Sequence, residues 1–194
     1  MEFSKKHTVY LAPDYPIELD LLDIGDGFYI YSFDMTGECE WNRVAARELL
    51  KKLKAYDFDG FVTVQTKSCG LSQAVSADFP KYLELRKSKK PFMVDPVGVS
   101  VKSITTHGMQ ELWIGKEKYQ NFVGKKLCFL DDVVSTGGTI DAVLELAAKI
   151  GIEISVIACA LTEGNPRTEY KGIPLVSLDH IPLPGRLAEN NDEE

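Results

Sequence analysis

Apolar and polar residues alternate along this chain in short blocks, and the spacing of the blocks predicts the elements. Phe28-Tyr29-Ile30-Tyr31-Ser32-Phe33 reads as a strand, closed by the turn residues Asp34, Thr36 and Gly37. Trp41, Val44, Ala45, Leu49, Leu50 and Leu53 recur at helical spacing among Arg, Lys and Glu, which predicts an amphipathic helix of about fifteen residues. Phe61-Val62-Thr63-Val64 follows as a buried strand, then a polar loop from Gln65 to Gly70, a short helix from about Leu71, and a strand over Tyr82–Leu85. Residues 86–108 are first basic, then rich in Pro, Ser and Thr, and read as a long excursion. Strand character resumes at Glu111–Ile114 and at Leu127–Leu130, and a helix after the second carries Ile140, Val143, Leu144 and Ala147 on one face. Ile154–Leu161 and Leu175–Leu178 complete the strands. The residues before 28, with Pro13 and Pro16, read as an irregular or β-rich lead-in.

Strands alternating with helices predict an α/β fold, with an open, mainly parallel twisted sheet flanked by helices. In such sheets ligands sit beyond the carboxyl ends of the strands. The loops after 61–64 and 127–130 therefore belong at one edge. Residues 1–185 are expected to form a single domain, with a small hood from about residues 1–40, and the acidic run 186–194 is expected to be a disordered tail.

Composition narrows the class only modestly. The chain has 194 residues, 44% of them hydrophobic and 26% charged, the balance of an ordinary globular domain. A formal net charge of −7 argues against nucleic acid as a partner of the whole surface. Absence of a long apolar run argues against a membrane span, and the start MEFSKKHTVYLAP, without a signal-like apolar core, points to a cytoplasmic protein. Cys39, Cys69, Cys128 and Cys159 are scattered, without a C-x-x-C pair. Cys128 and Cys159 lie in apolar runs and read as small buried hydrophobes.

The chemistry concentrates in LCFLDDVVSTGGTIDAVLEL, Leu127–Leu146. A buried strand meets two carboxylates, Asp131 and Asp132, and then the small residues Ser135, Thr136, Gly137, Gly138 and Thr139 at the start of a helix. Backbone N–H groups and hydroxyls at the positive end of a helix favour a phosphate. The two glycines permit close approach, and adjacent carboxylates can accept hydrogen bonds from vicinal ribose hydroxyls. A Walker loop would need Gly-Lys-Ser/Thr, and a dinucleotide fingerprint G-x-G-x-x-G; neither occurs here.

DDVVSTGGT resembles the phosphoribosyl pyrophosphate signature of the type I phosphoribosyltransferases. The resemblance extends from about residue 28 to 180, with residues 128–139 the diagnostic part. It implies the type I phosphoribosyltransferase fold with a mobile β-hairpin lid, and it implies roles for particular residues. Asp131 and Asp132 would hold the ribose and serve catalysis, Ser135, Thr136, Gly137, Gly138 and Thr139 would hold the 5′-phosphate, and Val134 would be a substrate-binding residue beside them. The loop Thr66, Lys67, Ser68, Cys69, Gly70 resembles the family's pyrophosphate loop, in which one peptide is often strained or cis. Arg86-Lys87-Ser88-Lys89-Lys90 resembles the family's R-K-x-x-K element, placing Arg86, Lys87 and Lys90 as anion contacts. Ser103–Gly108 with Glu111–Ile114 is similar to the lid hairpin. His107 would be a substrate contact there, and Thr106 stands where adenine-specific members carry glutamate. Phe33-Asp34-Met35 resembles the hood segment that covers the base, with Phe33 and Asp34 as contacts.

The function implied is transfer of 5-phosphoribose from phosphoribosyl pyrophosphate to a purine base, adenine favoured. Xanthine or hypoxanthine-guanine transfer is the alternative, and a non-catalytic phosphoribosyl pyrophosphate sensor a third. Mg²⁺ is the implied cofactor, held mainly through substrate and by Asp131 and Asp132 if by protein at all. A homodimer is the implied assembly.

Overall fold

A computed structural model describes residues 4–102 and 109–186 of the chain. Twelve strands and four helices are described: β1 (Lys6–Ala12), β2 (Tyr15–Asp23), β3 (Phe28–Tyr31), α1 (Cys39–Leu53), β4 (Gly60–Val64), α2 (Cys69–Val75), β5 (Leu83–Leu85), β6 (Val97–Lys102), β7 (Met109–Ile114), α3 (Lys116–Tyr119), β8 (Lys126–Val134), α4 (Gly138–Lys149), β9 (Glu153–Glu163), β10 (Glu169–Tyr170), β11 (Ile173–Ile181) and β12 (Gly185–Arg186).

The central sheet runs β10-β11-β9-β8-β4-β5. Every pairing in it is parallel except β10 with β11, so the expected open parallel sheet is present. All five residues of β4 are buried, because both faces of the sheet are covered. Alternate side chains feed two cores. Phe61, Cys128, Leu130, Val156 and Ala158 face α1, α2 and the β1–β2 hairpin. Val62, Leu127, Phe129, Ile157 and Cys159 face α4 and the β6–β7 hairpin. This is the two-residue period of a strand, used on both sides.

The lead-in is the β-rich option. β1, β2, β3 and β12 form a four-stranded antiparallel sheet, the hood, which the last strand joins through Gly185 and Arg186 opposite Tyr29 and Phe28. The hood is tied to the central sheet at β11, where the Tyr10 amide donates to the Asp179 carboxylate at 2.7 Å.

Several boundaries differ from the sequence reading. β3 ends at Tyr31 rather than Phe33, since the chain turns away before the Asp34 carboxylate accepts from the Thr36 amide. β8 continues to Val134, so the acidic pair lies within the strand rather than after it. On α4 the buried face is Ile140, Val143, Leu146 and Ala147, and Leu144 is only partly covered. The excursion 86–108 contains a full hairpin arm, β6, registered against β7 from Val97–Ile114 to Lys102–Met109.

Candidate active site

β4 and β8 are neighbours in parallel register, Val62 beside Phe129 and Thr63 beside Leu130, so their carboxyl-end loops open side by side. Between them lies a cleft of about 300 Å³. One wall is the β4 loop, with Gln65, Thr66, Lys67 and Ser68; the other is Asp131, Asp132 and Val133 of β8 with Thr139 at the start of α4. Lys87 comes from the segment after β5, and Glu111 and Leu112 from the β6–β7 hairpin. The Gln65–Thr66 peptide is cis.

The acidic pair is largely buried, and Asp132 is 8% exposed. The Asp132 amide donates to the Asp131 carboxylate at 3.0 Å. Burial, then the neighbouring charge of Asp132, raises the proton affinity of Asp131 well above the usual carboxylate range. Two acids that repel each other at the end of a buried strand form a place for a cation or for hydroxyl donors.

Below the acids, the pyrophosphate-like loop is anchored by buried hydroxyls. Thr63 Oγ1 donates to the Leu130 carbonyl at 2.8 Å and lies 2.8 Å from Ser68 Oγ. The Ser68 hydroxyl also reaches the Val64 carbonyl at 3.0 Å. At the other end of the signature, Gly137 takes φ +94° at the N-terminus of α4, a left-handed conformation that glycine adopts without strain. No side chain caps this helix, so the first amides of a twelve-residue helix remain available to an anion.

A family model described as the phosphoribosyl transferase domain matches residues 41–184. The chain belongs to the phosphoribosyltransferase family. A hypoxanthine/guanine phosphoribosyltransferase of Methanothermococcus okinawensis is 31% identical over 123 residues, which span 62% of this chain and 62% of that relative. One from Methanotorris igneus is 30% identical over 146 residues, covering 71% of this chain and 75% of the relative. Among solved structures, adenine phosphoribosyltransferase of Thermoanaerobacter pseudethanolicus superposes with a TM-score of 0.63 at 17% identity, covering 91% of this chain and 95% of that one. The Giardia lamblia enzyme, solved with 9-deazaadenine, gives 0.61 at 18% identity, covering 90% and 93%. At these identities the structural likeness is one of fold.

Within the family's frame, the side chains divide into those at the cleft and those directed elsewhere. Lys67, Ser68, Lys87, Asp131, Asp132 and Thr139 line the cleft. Val134 is buried in the core beneath the loop, 3% exposed, Ser135 to Gly137 form the turn, and Gly138 begins α4. Asp34 lies near Lys67; its carboxyl is held below the usual range first by the Thr36 hydroxyl and amide, with a smaller contribution from Lys67.

Five of the expected contacts do not line this cleft. Phe33 is 7% exposed and stacks on Trp41, with ring centroids 5.8 Å apart, so it packs in the core instead of offering a face to a base. Arg86 lines a second cleft of about 510 Å³ beside β5, with its guanidinium 5.5 Å from the Phe92 ring and 4.0 Å from the Glu84 carboxylate. Its backbone exchanges two hydrogen bonds with Trp113, at 2.9 and 2.8 Å, which fixes the strand and turns Lys87 into the cleft instead. Cys69 and Gly70 are the first residues of α2, next to the loop that walls the cleft. Burial, then Glu84, pushes the Cys69 thiol up to about 11, and Gly70 packs on the Asn42 amide. Lys90 is half-buried; its amide reaches Met93 Sδ at 3.4 Å, and it does not line the cleft. His107 and Thr106 fall outside the described residues.

Glu111 at the cleft, and Tyr170 against Gly137 at the start of α4, are residues the sequence reading passed over. Two-residue alternation in Glu111-Leu112-Trp113-Ile114 could have found the first. Leu112 and Ile114 are buried, so Glu111 and Trp113 share the opposite face, where the indole N–H donates to the Glu111 carboxylate at 3.0 Å. Tyr170 carried no local signal, because its place depends on a hairpin beyond β9.

Proposed function

We infer that the protein is a purine phosphoribosyltransferase, moving 5-phosphoribose from phosphoribosyl pyrophosphate to a purine base with release of pyrophosphate. The observation that carries this reading is the facing of Asp131 and Asp132 against the Thr66–Ser68 loop across one cleft, with the α4 N-terminus beside them. Asp131 and Asp132 accept hydrogen bonds from the ribose hydroxyls, and their charge favours the oxocarbenium character that develops at the anomeric carbon. Amides of residues 135–139 hold the 5′-phosphate. Amides of residues 66–68 with Lys67 and Lys87 hold the departing pyrophosphate. The hairpin residues Glu111 and Leu112 close the cleft from above and limit water at the reacting carbon.

The donor set suits Mg²⁺: two adjacent hard carboxylates, one with raised proton affinity, beside a polyphosphate subsite. Asp131 and Asp132 would hold the ion, and its chemistry is to neutralise charge on the pyrophosphate. The named relatives near 30% identity support hypoxanthine and guanine as acceptors, and the layout of the chain supports adenine. A cytoplasmic homodimer belongs to the same reading, supported by the exposed Phe92 (65%) and Val94 (56%) beside the edge strand β5. The test is pyrophosphate release with Mg²⁺, phosphoribosyl pyrophosphate and adenine, hypoxanthine, guanine or xanthine singly. Release with at least one base is expected. Binding of phosphoribosyl pyrophosphate with no release from any of them would overturn the enzymatic reading.

A further inference from the structure

The β10–β11 hairpin touches the phosphate loop at one point. Its two turn residues, Lys171 and Gly172, both have positive φ, +52° and +80°, as the tight two-residue turn between antiparallel strands requires. The turn therefore presents Tyr170 in a fixed direction. Its ring lies against Gly137, so closely that a Cβ at that position would overlap the ring atoms. Its hydroxyl donates to the Asp141 carboxylate at 3.0 Å, and Lys171 Nζ pairs with the same oxygen at 2.7 Å. Arg167 and Lys171 flank the ring at 5.9 and 5.7 Å from its centroid.

Asp141 poses a problem for the site as read above. It sits in the first turn of α4, where it would repel an incoming phosphate. The two donors from the hairpin both engage that carboxylate. We propose that Tyr170 is a positioning residue for the 5′-phosphate subsite: its ring holds Gly137 in the left-handed conformation, and its hydroxyl, with Lys171, restrains and screens the Asp141 carboxylate. The proposal rests on the phosphoribosyltransferase reading and adds to it a device outside the signature segment.

The experiment compares Tyr170→Phe, Tyr170→Ala and the double variant Tyr170→Phe/Asp141→Asn with wild type. Calorimetric titration of phosphoribosyl pyrophosphate, steady-state KM and kcat, and thermal melts are the readouts. Tyr170→Phe keeps the ring and loses the hydroxyl, so its affinity and KM for phosphoribosyl pyrophosphate should worsen about tenfold, the scale of one lost charged hydrogen bond, with kcat nearly unchanged. Asp141→Asn in that background should restore affinity to within about twofold of wild type, because the carboxylate that has lost its tyrosine donor and keeps only Lys171 is gone. Tyr170→Ala should lose more than Tyr170→Phe. A residue that only supports the fold would lower the melting temperature without an affinity loss that Asp141→Asn repairs, and that outcome overturns the proposal. Variants that bind as wild type overturn it while leaving the functional reading intact. A wild-type protein that binds no phosphoribosyl pyrophosphate overturns both.

Discussion

Thr63 and Ser68 join their hydroxyls at 2.8 Å inside the protein, with neither side chain more than 1% exposed. Thr63 also donates to the Leu130 carbonyl, one residue before the acidic pair, so a single buried threonine fixes the pyrophosphate-like loop against the strand that carries Asp131 and Asp132. Replacing Thr63 with valine keeps the shape and deletes the donor. A buried group left unpaired costs about 1–3 kcal/mol. In a domain of this size each kcal/mol lowers Tm by about 2–4 °C. Thr63→Val should therefore melt several degrees lower and show a raised KM for phosphoribosyl pyrophosphate. An unchanged melt would mean that the hydroxyl pair does not anchor the loop.

Asp131 opposes stability and function to each other. Its carboxyl is held protonated above the ordinary range by burial and by Asp132. A carboxyl that holds its proton more tightly when folded supports the fold at low pH. That support is lost as pH rises through its folded value. Asp131→Asn should thus match wild type near pH 4 in metal-free buffer and become progressively more stable than wild type as pH rises. Turnover should fall at least tenfold, since each hydrogen bond to a charged acceptor is worth about 1.5–3 kcal/mol. Asp132→Asn should also cripple turnover with the fold intact. Near-normal activity in the double variant would remove the acids from the mechanism.

Lys87 and Arg86 are adjacent in sequence and line two different clefts. Lys87→Ala should weaken binding of phosphoribosyl pyrophosphate by about tenfold or more, through loss of a cation at the cleft. Arg86→Ala should leave that affinity within about threefold, because the guanidinium sits over Phe92 in the other cleft. Titration of both variants checks the pair, and the reverse pattern would put Arg86 at the anion.

These placements mark where sequence periodicity carries information and where it does not. Buried parallel strands advertise themselves: Phe61–Val64 and Leu127–Leu130 are short runs apolar apart from Thr63, and their parallel adjacency places Lys67 and Asp131 at one edge from sequence order alone. The hood strands were less legible, because β1 and β2 alternate buried with exposed positions, Pro13 lies in the turn between them and Pro16 lies within β2. Phe33 could not be assigned by type, since a core aromatic and a stacking aromatic are the same residue until Trp41 is seen beside it. Arg86 and Lys87 illustrate the period-two problem directly: one residue of register decides which cation faces the cleft. Tyr170 meets Gly137 only through tertiary contact, and no local pattern encodes such a meeting.

The hairpin above the cleft is more firmly built than its composition suggests. From the sequence, residues from about 96 to 108 read as a lid that is loose as a whole without substrate. In the structure Val99 and Leu112 are each 3% exposed, packed into the core shared with α4, and β6 pairs with β7 along six residues. Gly98 lies directly beneath the Trp113 indole, where any Cβ would collide with the ring. Ladder amides backed by buried side chains open only with a large share of the global unfolding free energy. Hydrogen exchange on the substrate-free protein should accordingly show strong protection across the paired amides of 97–101 and 110–114, little altered by phosphoribosyl pyrophosphate and a base. Gly98→Ala should loosen this arm, with faster exchange across both strands and a raised KM, as Glu111 and Leu112 lose their placement over the cleft. Fast exchange at 97–101 in the wild-type protein that slows only when both substrates are bound would return the whole hairpin to the role of a lid.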